Sequence, residues 1–246
     1  MFESLINFFY ITLYIPLFNL LVLFYNYIPG HDFGIAIIFL TLVIRIILYP
    51  ISVKAVKSQR NMQKIQPRIQ ELQKKYKDDK ERQAREMLAI YKNEKINPFS
   101  SLLFAIIQIP ILIALYKVFW SGLDPKELSV LYSFVANPGH INSLFLYIID
   151  LAKPNMVLAV LAGLTQYFQT KMLLPNNKKS GPKDKTSDFS QAMQTQMVYF
   201  APVFTIIILI GLPSALGLYW TASSLFSIIQ QYLIIKQNDN AEKQNI

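Results

Sequence analysis

The sequence predicts an all-α membrane protein with five transmembrane helices, an N-terminal interfacial helix and a cytoplasmic helical hairpin. The chain has 246 residues, of which 53% are hydrophobic, and its charged residues are separated from long apolar runs rather than mixed with them. A helix needs about 20 apolar residues to cross a hydrocarbon core of roughly 30 Å. Five runs approach that length and are the predicted spans: 33–53, 97–121, 154–174, 196–212 and 215–235.

Arg45 lies inside the first run, Phe33 to Val53, which contains no other charged residue. A guanidinium near the centre of a bilayer costs about 2.5 to 3.5 kcal/mol on insertion scales, so we expect a polar, water-filled cavity around it. The alternative is a snorkelling arginine that reaches the interface near Lys54. That route is awkward, because Cα–Cβ bonds tilt toward the helix N-terminus and hence toward the membrane centre if Val53 is cytoplasmic.

The basic residues predict the orientation of the chain. Residues 54–95 hold 13 Lys or Arg against 6 Asp or Glu, and the loop 175–195 holds 4 against 2. Residues 1–32 hold no Lys or Arg, and the outer loop 122–153 holds 2 against 3. Lys and Arg accumulate on the cytoplasmic side of membrane proteins. The N-terminus is therefore expected outside, and the short tail 236–246 in the cytoplasm.

Residues 1–32 are predicted to form an interfacial helix and a loop on the outer surface. Pro16 interrupts the uncharged stretch from Ser4 to Ile28, and its tyrosines favour the membrane interface. The tyrosines are Tyr10, Tyr14, Tyr25 and Tyr27, and polar residues recur on one face at Thr12, Asn19 and Asn26. An alternative with six spans and a cytoplasmic N-terminus also obeys the charge rule.

Residues 54–96 predict two antiparallel cytoplasmic helices. The first has an apolar seam at spacings of three and four residues: Met62, Ile65, Ile69, Leu72 and Tyr76. Pro67 is expected to kink or restart that helix. Asp78 and Glu81 resemble a capping box that opens the second helix, whose apolar side is Ala84, Met87 or Leu88, and Tyr91. The alternative is a solvated, charged hairpin without a partner.

Two further segments help to define where the chain enters the membrane and where it does not. Asn97 and Pro98 are expected to begin the second span as N-cap and first helical residue. In the outer loop, Leu144–Leu151 is apolar but is only eight residues long. Because this segment is too short to span, it is expected to rest at the interface.

Polar residues inside the spans are candidates for the lining of a hydrated groove. The first span carries Thr41 and Arg45 four residues apart, and the second carries Gln108. The third clusters Thr165, Gln166 and Gln169, and the fifth carries Trp220, Ser223, Ser224, Ser227, Gln230 and Gln231 at helical spacing. Ordinary interhelical hydrogen bonding explains any one of these residues. Together with a permanent cation, they favour a groove.

Several function classes are disfavoured by composition and motifs. The net charge of +9 resides mostly in one loop beside the membrane, which favours anionic lipids or a ribosome surface over a specific nucleic-acid sequence. The chain has no cysteine, no phosphate-binding loop and no HExxH motif. No cofactor, metal site or removable signal peptide is therefore predicted.

The order and spacing of the motifs resemble the YidC/Oxa/Alb membrane protein insertases, in particular the compact bacterial type. The resemblance covers about residues 10 to 235. The motifs that carry it are PLF at Pro16–Phe18, FGIAIIFLTLVIRIILYP around Arg45, IQPRIQELQKKYKDD, LAIYKNEKINP, QIPILIALY, DLAKP, LTQYFQTKM, and LPSALGLYW followed by SIIQQYLI.

The resemblance implies a five-span core in the bacterial cell membrane, with a groove open to the cytoplasm and to lipid. It assigns groove positions to Arg45, Thr41, Gln166, Tyr219 and Trp220. Ser224 stands where the last span of this family commonly carries Asn. The resemblance also implies that the large outer domain, the leading span and the long basic tail of some members are missing from this chain.

The function expected from residues and resemblance is that of an insertase and chaperone without enzymatic activity. The groove, formed by Arg45, Thr41, Gln108, Gln166, Gln169, Tyr219, Trp220 and Ser224, would admit polar, often acidic segments of nascent membrane proteins. The ribosome, the general secretion channel and anionic lipids are further expected partners. The alternatives are a small-solute transporter, an intramembrane protease, and a non-catalytic assembly or lipid-handling factor.

Overall fold

The computed structural model describes residues 2–94, 96–97, 100–121, 124–173 and 185–244. Within these ranges the predicted all-α class is confirmed, apart from one pair of two-residue strands. The predicted N-terminus of the second span at Pro98, half of the loop 175–195 and the last two residues of the tail lie outside the described residues. The elements are α1 Phe2–Phe9, a π-helix Tyr10–Tyr14, α2 Ile15–Tyr27, α3 Phe33–Ile47, α4 Tyr49–Lys75, α5 Lys80–Asn93, α6 Ser100–Ser121, a 3-10 helix Pro125–Val130, β1 Leu144–Phe145, β2 Ile149–Asp150, α7 Met156–Met172, α8 Lys185–Ile210 and α9 Ser214–Gln244.

The N-terminal helix continues from α1 through the π-helix into α2. Its segment Ile6–Tyr27 is long and apolar enough to cross a membrane. Three of its polar side chains, from Tyr14 onward, nevertheless contact one segment of the chain after α6. The Tyr14 hydroxyl donates to Glu127 Oε2 at 2.6 Å, Asn19 donates to the Val130 carbonyl at 3.2 Å, and Asn26 donates to the Ala136 carbonyl at 2.7 Å. The helix therefore lies along the loop that follows α6.

The predicted first span, residues 33–53, is not one straight helix in the structure. Helix α3 ends at Ile47, and the chain turns by 66° into α4. The physical reason is Pro50, in the first turn of α4, which lacks an N–H for the carbonyl of Ile46 and whose ring clashes with that carbonyl. Arg45 consequently lies in the last turn of α3.

Helices α4 and α5 pack against each other through a small apolar cluster. Ile65 and Ile69 are buried in it, and Met87 packs there, whereas Leu88 is 65% exposed. The N-cap of α5 is Asp79, which accepts from Arg82 N at 2.9 Å, one residue later than predicted. Pro67 lies inside α4 without restarting it.

Helix α9 is the central element of the bundle and packs on α7 and α3. Gly217 lets α9 approach α7 closely, since a Cβ there would lie 3.3 Å from the backbone carbon of Leu158. Gly163 does the same for α7 and α8, since a Cβ there would lie 2.4 Å from Cγ1 of Ile206. Exposed apolar side chains cover the outside of α6, α7, α8 and α9, as expected for helices that face lipid.

Strands β1 and β2 form a small hairpin that the sequence did not reveal. Leu144 pairs with Asp150, and Phe145 pairs with Ile149. Hydrogen bonds from the Ser143 hydroxyl and from Lys153 hold the pKa of the Asp150 carboxyl below its usual range. The residue after β2, Leu151, accepts a hydrogen bond from the start of α9: Ala215 N donates to its carbonyl at 3.1 Å. The hairpin is thereby joined to the helical bundle.

Candidate functional site

Arg45 points into the helical bundle rather than toward its outer surface. Its side chain is only 8% exposed, and its Nε donates to the Ser223 hydroxyl on α9 at 2.8 Å. Nη2 contacts the same oxygen. Because a hydroxyl is neutral, this interaction orients the guanidinium without cancelling its charge. The orientation argues against snorkelling, which would require the side chain to leave the bundle.

The Arg45 guanidinium borders a cavity of about 210 Å³ between α3, α6, α7 and α9. We call it the polar cavity. It has room for several waters, since one water occupies about 30 Å³ of liquid. The residues that line it are Arg45, Gln108, Leu112, Gln166, Gln169, Thr170, Tyr219, Trp220, Ser223 and Ser224.

Two glutamines that line the polar cavity have side-chain oxygens that accept no hydrogen bond within the described part of the chain. Gln108 Nε2 donates to the Tyr219 hydroxyl at 2.7 Å, but Gln108 Oε1 and Gln166 Oε1 are buried and accept from no group in the described part of the chain. A buried polar atom without a partner costs about 1 to 3 kcal/mol. A rotation of either side chain that turned this oxygen into the cavity would let water or a polar guest donate to it and remove that cost.

The structure brings together seven of the eight residues predicted to line a groove. Arg45, Gln108, Gln166, Gln169, Tyr219, Trp220 and Ser224 all border the polar cavity. Thr41 does not line it. Its side chain is fully buried one turn earlier on α3, where its hydroxyl donates to the Ile37 carbonyl at 2.7 Å.

Three lining residues were missed or given too little weight. Ser223 was predicted only as one member of a polar stripe, yet its hydroxyl accepts a hydrogen bond from Arg45. Leu112 and Thr170 complete the wall. Both lie four residues after a predicted glutamine, so helical spacing from Gln108 and Gln166 could have found them.

An apolar cavity of about 310 Å³ adjoins the polar one. It lies between α6, α8 and α9, and Leu112 and Trp220 line both cavities. The half-buried Trp220 ring therefore separates a polar surface from an apolar one. The remaining lining residues are Ile113, Tyr116, Phe204, Thr205, Ile208, Leu209, Leu212 and Leu216.

The Gln108–Tyr219 hydrogen bond tests whether the polar cavity is hydrated. We expect Tyr219→Phe to lower the free energy of unfolding by less than about 1 kcal/mol, because water can replace the lost hydroxyl. The measurement is thermal unfolding in detergent. Tyr14→Phe is the matched control, since the fully buried Tyr14 hydroxyl donates to a carboxylate, and such bonds contribute about 1.5 to 3 kcal/mol. Equal losses for the two variants would indicate a dry cavity.

The described residues contain no group of three His, Asp or Glu side chains that could hold a metal ion. What the site offers is one cation, several carboxamides and hydroxyls, and an adjoining apolar wall. This combination suits binding of a segment that is polar in one part and apolar in the next.

Comparison with known proteins gives one family. The family model described as 60Kd inner membrane protein matches residues 23–242. A relative from Clostridium tetani named "Membrane protein insertase YidC" is 38% identical over 218 residues, which are 87% of this chain and 88% of the relative. A relative of the same name from Fusobacterium nucleatum is 35% identical over 206 residues, or 84% and 87% of the two chains. A longer one from Syntrophus aciditrophicus is 34% identical over 224 residues, which are 90% of this chain and 36% of that relative.

Proposed function

Because the chain belongs to the 60Kd inner membrane protein family, we propose that it is a multi-pass protein of the bacterial inner membrane that inserts nascent membrane proteins. The observation that carries the mechanism is the buried Arg45 guanidinium at the wall of the polar cavity. The proposed activity is non-enzymatic. The protein lowers the free energy of moving a polar segment into the membrane and assists folding as a chaperone.

Arg45 attracts the acidic residues of a client's outer tail. At the low effective dielectric of a partly buried site, two opposite charges 4 Å apart attract by about 4 kcal/mol, against about 1 kcal/mol in water. The carboxamides of Gln108, Gln166 and Gln169 and the hydroxyl of Ser224 hydrogen-bond the polar backbone of the same segment. The tail therefore loses less solvation energy than in lipid.

The client's apolar span then moves along the apolar cavity. Leu112 and Trp220 belong to both cavities, so a client can contact the two surfaces at once. Burial of an apolar span in the bilayer contributes roughly 25 cal/mol per Å², and the membrane potential acts on the client's charges with about 2.3 kcal/mol per charge and 100 mV. These two terms drive insertion without nucleotide hydrolysis.

The orientation of the chain follows from its charges. The Lys- and Arg-rich segments 54–95 and 175–195 lie in the cytoplasm, together with the tail 236–246. The N-terminal helix lies on the outer surface, supported by its contacts at Tyr14, Asn19 and Asn26 with the loop after α6. Five helices then cross the membrane, the first of them bent at Leu48.

The packed helices α4 and α5 receive clients on the cytoplasmic side. The exposed side chains of Lys54 and Lys57 lie in the first part of α4, soon after the bend at Leu48. They fit the anionic headgroups of the inner leaflet. The ribosome and the general secretion channel are the proposed protein partners of the distal part of this arm.

Reconstitution tests the function directly. We expect vesicles that contain only the purified chain to protect the outer tail of a short single-span client from added protease, since Arg45 and the two cavities suffice for transfer. Vesicles without the chain are the control. Client insertion at the background level would contradict the proposal, and movement of a small solute by the same vesicles would favour a transporter.

A further inference from the structure

The β1–β2 hairpin ends in three exposed apolar side chains. Leu146, Tyr147 and Ile148, which we call the hairpin tip, are 53%, 70% and 81% exposed. Residues 144–149 contain no charged side chain. A contiguous apolar surface of this kind is uncommon on a protein face surrounded by water.

The backbone of the tip is held in an unusual conformation. Leu146 has φ 51° and Tyr147 has φ 60°, the left-handed region that favours glycine. Leu146 N donates to Asp32 Oδ2 at 2.6 Å, and the Tyr147 hydroxyl donates to the Gly30 carbonyl at 2.9 Å. Positive φ at both central residues is the geometry of a tight hairpin turn, across which Ile148 N donates to the Phe145 carbonyl at 3.0 Å. The contacts fix the direction in which the three side chains project.

The tip lies beside the first turn of α3. Asp32 is also the N-cap of α3, where its Oδ1 accepts from Ile35 N at 2.9 Å, and the Phe145 ring packs directly against Gly34. The exposed apolar side chains of α3 begin at Phe39, five residues after Gly34 or about 8 Å along the helix axis. Along the helix axis, the tip therefore lies just beyond the outer end of this apolar surface. Tyrosine is enriched at that level of membrane proteins.

We propose that the hairpin tip inserts among the phospholipids of the outer leaflet and anchors the outer end of α3. Phospholipid is the occupant because the tip lies at the outer end of α3, next to the level at which α3 exposes apolar side chains, and because it combines two aliphatic side chains with one tyrosine. The proposal rests on the membrane location and orientation given above, and not on client insertion.

Spin labelling tests the anchor, and the absence of cysteine from the chain makes each label unique. Ile148→Cys and Leu146→Cys carry a nitroxide in vesicles of phosphatidylethanolamine and phosphatidylglycerol. His140→Cys is the control, because it is an exposed position of the same loop beside Gly139, whose surroundings are open. We expect the ratio of oxygen to aqueous nickel-chelate accessibility to be several-fold higher at 148 and 146 than at 140.

Equal ratios at the three positions would overturn the proposal, since the tip would then lie in water. Low accessibility to both reagents at 148 and 146 would also overturn it, because the tip would be covered by protein. Ile148 makes little packing contact at 81% exposure, so its substitution should not impair folding. The client-insertion assay on the same vesicles is a separate readout, so failure of one proposal is distinguishable from failure of the other.

Discussion

Arg45→Ala is expected to reduce insertion of a client with an acidic outer tail by roughly tenfold, which corresponds to about 1.4 kcal/mol. The physical reason is loss of the attraction between the buried guanidinium and the client's carboxylates. The expected effect is smaller than the attraction of about 4 kcal/mol between two opposite charges at 4 Å, because water in the polar cavity is expected to weaken that attraction. The measurement is the initial rate of tail protection in vesicles.

Two controls separate the charge from the hydrogen bond to α9. Arg45→Lys keeps the charge and should retain most of the activity. Ser223→Ala keeps the guanidinium and removes the hydroxyl that accepts a hydrogen bond from it. A client whose tail has its Asp and Glu replaced by Asn and Gln should be inserted equally by the wild-type chain and by Arg45→Ala. An equal defect with both clients would contradict charge attraction.

Gly34→Ala should produce the largest loss of stability among alanine substitutions at Gly34, Gly163, Gly211 and Gly217. A Cβ at this position would lie 2.1 Å from Cδ2 and 2.7 Å from Cβ of Phe145, so the hairpin must move away from α3. Overpacking of this kind costs about 1 to 3 kcal/mol, and the gain of about 1 kcal/mol in helix propensity offsets it only partly. Thermal unfolding in detergent should show a lower midpoint.

Gly211→Ala is the matched control for Gly34→Ala. A Cβ there meets only the Ile208 carbonyl at 3.8 Å, which is ordinary van der Waals contact. Its midpoint should remain at or slightly above the wild-type value, because alanine restricts the unfolded chain. A Gly34→Ala midpoint as high as that of Gly211→Ala would show that Phe145 does not pack firmly on α3.

Sequence reasoning found most of the polar cavity because polar residues on otherwise apolar helices have few places to point. Gln166 and Trp220 each belong to a polar face, and Gln108 is a lone carboxamide on an apolar stretch of α6. Burying these polar groups against one another brings them together. The same reasoning could not choose between Ser223 and Ser224. The two residues point about 100° apart around the helix, and only the packing of α9 on α3 decides which one meets Arg45.

The structure differs from the sequence-based predictions mainly because of tertiary contacts and one proline. The apolar run continues past Pro50 to Val53, so hydropathy alone did not reveal the end of α3 at Ile47. The strands at Leu144–Phe145 and Ile149–Asp150 are too short to have a recognisable pattern. They depend on partners far away in the sequence, among them Asp32.

The bend at Leu48 has a mechanical consequence. Helix α4 is about 40 Å long, but its first part is fastened to α9 at two points, by Ser52 Oγ donating to Gln230 Oε1 at 2.8 Å and by Arg60 donating to the Ile235 carbonyl at 3.1 Å. A force on the distal end of α4 is transmitted to these two hydrogen bonds before it reaches the bend at Leu48. We therefore expect a displacement of the distal part of α4 to be resisted at Arg60 and Ser52 before it reaches Arg45.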